Sequence, residues 1–162
     1  MSGNFSRNVM NTLVVALSLA FTGSALADTA VNDPLYITGN YKCTGFDSHD
    51  GAFKGDLSVK VNEKSSNFSQ NFGAYTFTLE VDLGGDKATY SGYAAAQGQQ
   101  LAMYFANDSQ EAATDRGIGL ATITRDQDSK GQYTTTLHKS YYAPDYNGGG
   151  HGTETCIKTP QV

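Results

Sequence analysis

Phe53-Lys54-Gly55-Asp56-Leu57-Ser58-Val59-Lys60-Val61 is the stretch that decides the fold. Phe53, Gly55, Leu57, Val59 and Val61 share one parity, and Lys54, Asp56, Ser58 and Lys60 share the other. Successive side chains of an extended chain point to opposite faces, so this is a strand with one apolar and one wet face. Residues 75–83 repeat the pattern, with Tyr75, Phe77, Leu79, Val81 and Leu83 set against Thr76, Thr78, Glu80 and Asp82. Two such strands predict an antiparallel sheet over a single core.

Outward from these, weaker alternation predicts six further strands, near 36–46, 87–95, 100–106, 117–125, 132–142 and 152–158. The segments between them are rich in Gly, Asn and Asp, as in Leu83-Gly84-Gly85-Asp86 and Asn147-Gly148-Gly149-Gly150. Those residue types supply the positive φ angles and local hydrogen bonds of hairpin turns. Residues 107–116 hold room for one short helical turn around Glu111-Ala112-Ala113. Gly39, Thr44, Gly51, Phe53 and Leu57 recur 80 positions later as Gly119, Thr124, Gly131, Tyr133 and Leu137, a sparse repeat that fits hairpin organisation.

Residues 1–27 read as a secretory signal peptide, with Arg7, an apolar run from Leu13 to Phe21 and a small-residue cleavage site at Ala25-Leu26-Ala27. Residues 28–35 are expected to form an N-terminal tail and 36–162 a single β domain, in the periplasm or outside the cell. The net charge of -5 and the lack of any Lys/Arg cluster argue against nucleic-acid binding and against an electrostatic membrane anchor. Leu, Ile, Val and Phe together number only 22 after residue 27, so the core should be thin and should need a staple.

Cys43 and Cys156 are the only cysteines. In an exported chain they are expected to form one disulfide. A disulfide brings its two Cα atoms within about 7 Å, so the first and last strands must be neighbours. Consecutive antiparallel strands with adjacent ends describe a closed eight-stranded up-and-down barrel. The alternative is a β-sandwich in which the disulfide joins the two sheets. An outer-membrane barrel would turn the apolar faces to lipid and line its lumen with Lys54, Asp56 and Glu80.

The pattern Gly39-x-Tyr41-x-Cys43-x-Gly45, the strand series and the closing Gly152-Thr153-Glu154-Thr155-Cys156 resemble small exported bacterial β-barrel proteins of uncharacterised function. In general form they resemble calycin-type barrels such as lipocalins and avidins. Gly39-Asn40-Tyr41 stands where lipocalins have Gly-x-Trp, and the chain has no Trp. The resemblance implies shape only, and no ligand.

The residues that could line a barrel cavity are Tyr41, Tyr75, Phe77, Tyr90, Phe105, Tyr133 and Glu154. Tyrosine joins an apolar ring to a polar tip, which suits a lined cavity, although the rings could equally fill a small barrel. Glu154 shares the parity of Cys156, so it should face the core and need partners, with Tyr hydroxyls or strand-end amides as candidates. Tyr141, Tyr142, Tyr146 and His151 flank the Gly-rich 147–150 segment and form an alternative interaction loop.

His49, His138 and His151 have no metal-ligand spacing. Asp126-x-Asp128-x-Lys130-Gly131 places a cation where a calcium loop needs an oxygen, so it reads as a turn. No nucleophile elbow, phosphate loop or HExxH motif occurs. The expectation is therefore a non-enzymatic binding protein without cofactor or metal, holding a small apolar or amphipathic ligand in the barrel. The alternative is a filled barrel that contacts a protein partner through its loops.

Overall fold

The computed structural model describes residues 33–160. The expected signal peptide and residues 28–32 of the expected tail lie outside the described residues. Eight strands follow in order: β1 Gly39–Asp47, β2 Gly51–Val61, β3 Phe72–Asp82, β4 Lys87–Gln97, β5 Gln100–Asn107, β6 Arg116–Gln127, β7 Tyr133–Ala143 and β8 Gly150–Lys158. Each pairs antiparallel with the next, and β8 pairs with β1 to close the barrel. The sandwich alternative is thereby set aside. One expected helical turn is present as a 3-10 turn at Gln110–Ala112, and two more, Glu63–Ser65 and Phe68–Gln70, link β2 to β3.

The seam has a covalent lock. Cys43 and Cys156 stand directly opposite each other in the β1–β8 ladder and form the disulfide. The apolar parity of β2 and β3 points inward, where Phe53, Leu57, Val59, Tyr75, Phe77, Leu79 and Val81 are buried. Lys54, Asp56 and Glu80 lie on the exposed outer face, the reverse of a lipid-facing barrel with a charged lumen. Among the described residues no helix is long and apolar enough to cross a membrane.

Few aliphatic side chains are available, so large rings fill much of the interior, and four of them face a glycine. Phe53 stands opposite Gly45, Phe77 opposite Gly92, Phe105 opposite Gly117 and Tyr141 opposite Gly152. A Cβ on Gly92 would lie 2.7 Å from the Phe77 ring and closer still to the Tyr104 carbonyl oxygen. Large-against-small pairing of this kind lets the facing side chains interdigitate. Gly92→Ala is accordingly expected to destabilise the fold by about 1–3 kcal/mol through overpacking. Urea denaturation checks this, and an unchanged midpoint would show that the ring has room to move.

The two barrel ends differ. At one end, residues 33–38 fold over the opening. Tyr41 donates its hydroxyl to the Ile37 carbonyl, and Tyr75 donates to Asp33 Oδ1 at 2.9 Å. Asp33 also accepts from the backbone N–H groups of Leu35 (3.1 Å) and Thr38 (2.6 Å). Ile37 is fully buried. The segment expected to be a tail and the start of strand one therefore closes this end. Tyr133, expected on the inner face, is instead 55% exposed there. It is the first residue of β7, beyond the depth at which the wall encloses side chains, and its ring packs on the Arg125 guanidinium at 4.2 Å.

Candidate functional site

The opposite end is a polar and aromatic mouth. It gathers the end of β1, the starts of β2 and β8, and the β3–β4, β5–β6 and β7–β8 loops. A cleft there has a volume of about 60 Å³ and includes Asp47, Asp50, Leu83, Asp115, Tyr90, Phe105, Tyr141 and Tyr146 in its wall. Ligand pockets for drug-sized molecules run to about 300–1,000 Å³. The cleft therefore accommodates a small group rather than a bulky lipid.

Its wall is built from an aromatic run. Tyr90 and Phe105 meet edge to face with centroids 6.1 Å apart, and Phe105 meets Tyr141 the same way at 5.7 Å. Each tyrosine of the mouth spends its hydroxyl proton on a carboxylate. Tyr90 donates to Asp115 Oδ2 at 2.7 Å, Tyr141 to Asp47 Oδ2 at 2.7 Å, and Tyr146 to Asp50 Oδ2 at 2.9 Å. Asp115 Oδ2 also accepts from Asn107 Nδ2 at 3.0 Å. Asp47 is the last residue of β1 and holds the following turn, its Oδ1 accepting from His49 N at 2.7 Å and Asp50 N at 3.3 Å.

Below the cleft lies the pair Lys139–Glu154. The two residues stand directly opposite in the β7–β8 ladder and form a buried ion pair. The Lys139 ammonium lies 5.4 Å from the Tyr141 ring centre and 5.9 Å from that of Phe105. Glu154 is 3% exposed, and its Oε1 has no hydrogen-bond partner. It lines an inner void of about 20 Å³ with Leu57, Val59, Leu137 and Cys156. Phe77 and Lys139 wall both the cleft and this void. The core-facing parity expected of Glu154 is observed, but its partner is Lys139 rather than a tyrosine hydroxyl or a strand-end amide.

Of the residues expected to line a cavity, Phe77, Tyr90 and Phe105 meet at the mouth, with Glu154 beneath. Tyr41 and Tyr75 do not join them, because they seal the far end. Among the expected loop residues, Tyr142 and His151 are exposed, while Tyr141 turns inward from β7 and Tyr146 folds over the rim. Tyr141 and Tyr146 therefore belong to the cleft rather than to an outward-facing loop.

Asp47, Asp115 and Lys139 were not anticipated from sequence. A signal was present: Asp47 continues the inward parity of Tyr41 and Cys43, and Lys139 that of Leu137. His49 and His151 do share this barrel end, but they form no metal cluster. Among the described residues, the one trio of potential ligand atoms within 4.8 Å of one another is Cys43, Glu154 and Cys156, whose sulfurs are joined in the disulfide.

Burial and the adjacent carboxylates push the Tyr90 and Tyr141 hydroxyls well above their usual pKa of 10.0, and that of Tyr146 to about 12. Burial also raises Tyr41 and Tyr75, with the Asp33 charge adding to it. A group with a raised folded-state pKa contributes stability that is complete below its unfolded pKa. That stability is lost as pH rises through the folded value. The fold should therefore hold its stability up to about pH 10 and lose it progressively above. Absorbance titration of phenolate should show the buried tyrosines ionising only as the barrel opens. Smooth ionisation of all ten at their ordinary pKa would contradict this placement.

No protein-family model matches the chain, and no curated protein or solved structure is significantly similar to it. The eight-stranded closed barrel is consistent with a calycin-like form.

Proposed function

We propose that this chain is an exported, non-enzymatic binding protein that holds a small amphipathic molecule in the mouth of its barrel. The observation that carries this reading is the asymmetry of the ends: one is plugged by residues 33–38, while the other presents the Tyr90–Phe105–Tyr141 wall beneath Asp47, Asp50 and Asp115. Apolar walls with a few convergent polar groups are the usual make-up of a ligand site. Export is supported by the disulfide, which persists in oxidising compartments, and by the N-terminal sequence pattern. The cleft volume limits the ligand to a small polar head with a short apolar chain.

Native mass spectrometry of the oxidised protein from its natural compartment tests the proposal. The expected result is a small-molecule adduct that leaves on denaturation and is lost in Phe105→Ala. A bare mass, together with no saturation transfer from short-chain amphiphiles, would overturn it.

A second reading, an interaction module acting through its outer surface, is favoured by one feature. Tyr93, Tyr104, Ile118 and Tyr142 stand directly opposite one another across β4 to β7, and all are at least 44% exposed. Contiguous exposed apolar groups mark interaction sites more often than scattered ones do. This reading predicts that Tyr104→Ser and Ile118→Ser remove a protein complex while the mouth is untouched. Retention of that complex in both variants would count against it.

A further inference from the structure

The mouth is rich in acceptors and poor in free donors. The Tyr90, Tyr141 and Tyr146 hydroxyls are each engaged with a carboxylate, and the Lys139 ammonium is engaged with Glu154. A carboxylate or phosphate ligand would thus meet the like charge of three carboxylates and no uncommitted tyrosine hydroxyl, and the one ammonium in the cleft wall is already neutralised by Glu154. Among the described residues the ion pairs are Lys42–Asp56, Arg116–Asp145 and Lys139–Glu154. Asp47, Asp50 and Asp115 accordingly share the cleft without a cation within salt-bridge distance. One ammonium, that of Lys139, already lies against the Phe105 and Tyr141 rings, which shows that the aromatic wall accepts positive charge. Glu154 Oε1, buried and unpartnered, belongs to the separate void beneath the cleft, and Phe77 and Lys139 stand between the two. The three rim carboxylates do not converge within 4.8 Å as a metal-sized cluster, so an extended organic cation fits their spread better than a bare metal ion.

We propose that the barrel mouth selects organic ammonium ions bearing a short apolar chain. The cationic head lies among Asp47, Asp50 and Asp115, and its alkyl groups lie against Tyr90, Phe105 and Tyr141. This inference rests on the binding reading above and gives it a ligand class. The net charge of -5 adds long-range attraction for cations and repulsion for anions.

The test uses three probes of equal chain length on the oxidised protein: hexyltrimethylammonium, hexanol and hexanoate. Dissociation constants are read by NMR titration of the tyrosine ring signals. The ammonium ion should bind at least about tenfold more tightly than hexanol, with hexanoate weakest, since a quaternary cation held against desolvated aromatic rings and near carboxylates gains about a factor of ten or more over a neutral group. Raising the salt concentration should weaken the ammonium ion alone. Asp47→Asn/Asp115→Asn should remove most of the cation preference, read as the ratio of the hexanol to the ammonium dissociation constant in the same variant. Asp50→Asn, at an exposed rim position, should give a smaller loss of the same kind should the double variant fail to fold. Hexanol binding as tightly as the ammonium ion, or a preference that survives the Asp variants, would overturn the cation inference and leave the cleft reading standing. Failure of all three probes to bind would overturn both.

Discussion

Removing the Cys43–Cys156 disulfide is expected to lower the unfolding free energy by about 4–5 kcal/mol. The bond spans a sequence separation of 113, so it restrains nearly the whole described chain in the unfolded state. It also lies in the ladder that closes the barrel, where β1 meets β8. The interior relies on a few rings and small aliphatics, and the total stability of a domain this size is about 5–15 kcal/mol. Loss of the crosslink should therefore take the protein close to its folding limit. Cys43→Ala/Cys156→Ala, compared with the oxidised parent by urea denaturation, measures the effect. A loss below about 1 kcal/mol would show that the β1–β8 hydrogen bonds and side-chain packing hold the seam without it.

Lys139→Met is expected to cost a further large sum, about 3–5 kcal/mol, because it strands the Glu154 carboxylate in the barrel without its counter-ion. Glu154 already has one unpartnered oxygen, so little else there can compensate. The double variant Lys139→Met/Glu154→Leu should recover most of the loss, since a well-packed apolar pair is often as stable as a buried ion pair. Chemical denaturation of the two single variants and the double variant gives the coupling. Additive losses, with no recovery in the double variant, would mean that the pair is not coupled in the folded state. Glu154→Gln separates structure from binding: lost stability with unchanged binding of hexyltrimethylammonium would confine Glu154 to a structural role.

Much of the barrel was legible because period-two alternation is local. The Phe53–Val61 and Tyr75–Leu83 stretches declare their inner faces residue by residue, and the two cysteines declare the closure. Parity also placed Glu154 inside. Parity gives the side of the wall but not the depth along it. That is why Tyr133 was expected inside and lies exposed at a strand end, and why Tyr41 and Tyr75 were grouped with Tyr90 from the opposite mouth. The carboxylate–tyrosine pairs were beyond local reading: Asp47 and Tyr141 are 94 residues apart, and only the closed ladder brings them together. The Lys139–Glu154 pair needed the β7–β8 register, which pattern alone does not supply.

The most direct test of the mouth as a binding site is a titration of the full oxidised protein carrying ¹³C-labelled tyrosine rings with hexyltrimethylammonium and, separately, hexanol. Assignment by single Tyr→Phe substitutions resolves the ten rings. The account predicts saturable shifts at Tyr90, Tyr141 and Tyr146, with Tyr41 and Tyr75 at the plugged end unmoved. Shifts confined to Tyr93, Tyr104 and Tyr142 on the outer wall, or no saturable shift with either probe, would contradict it.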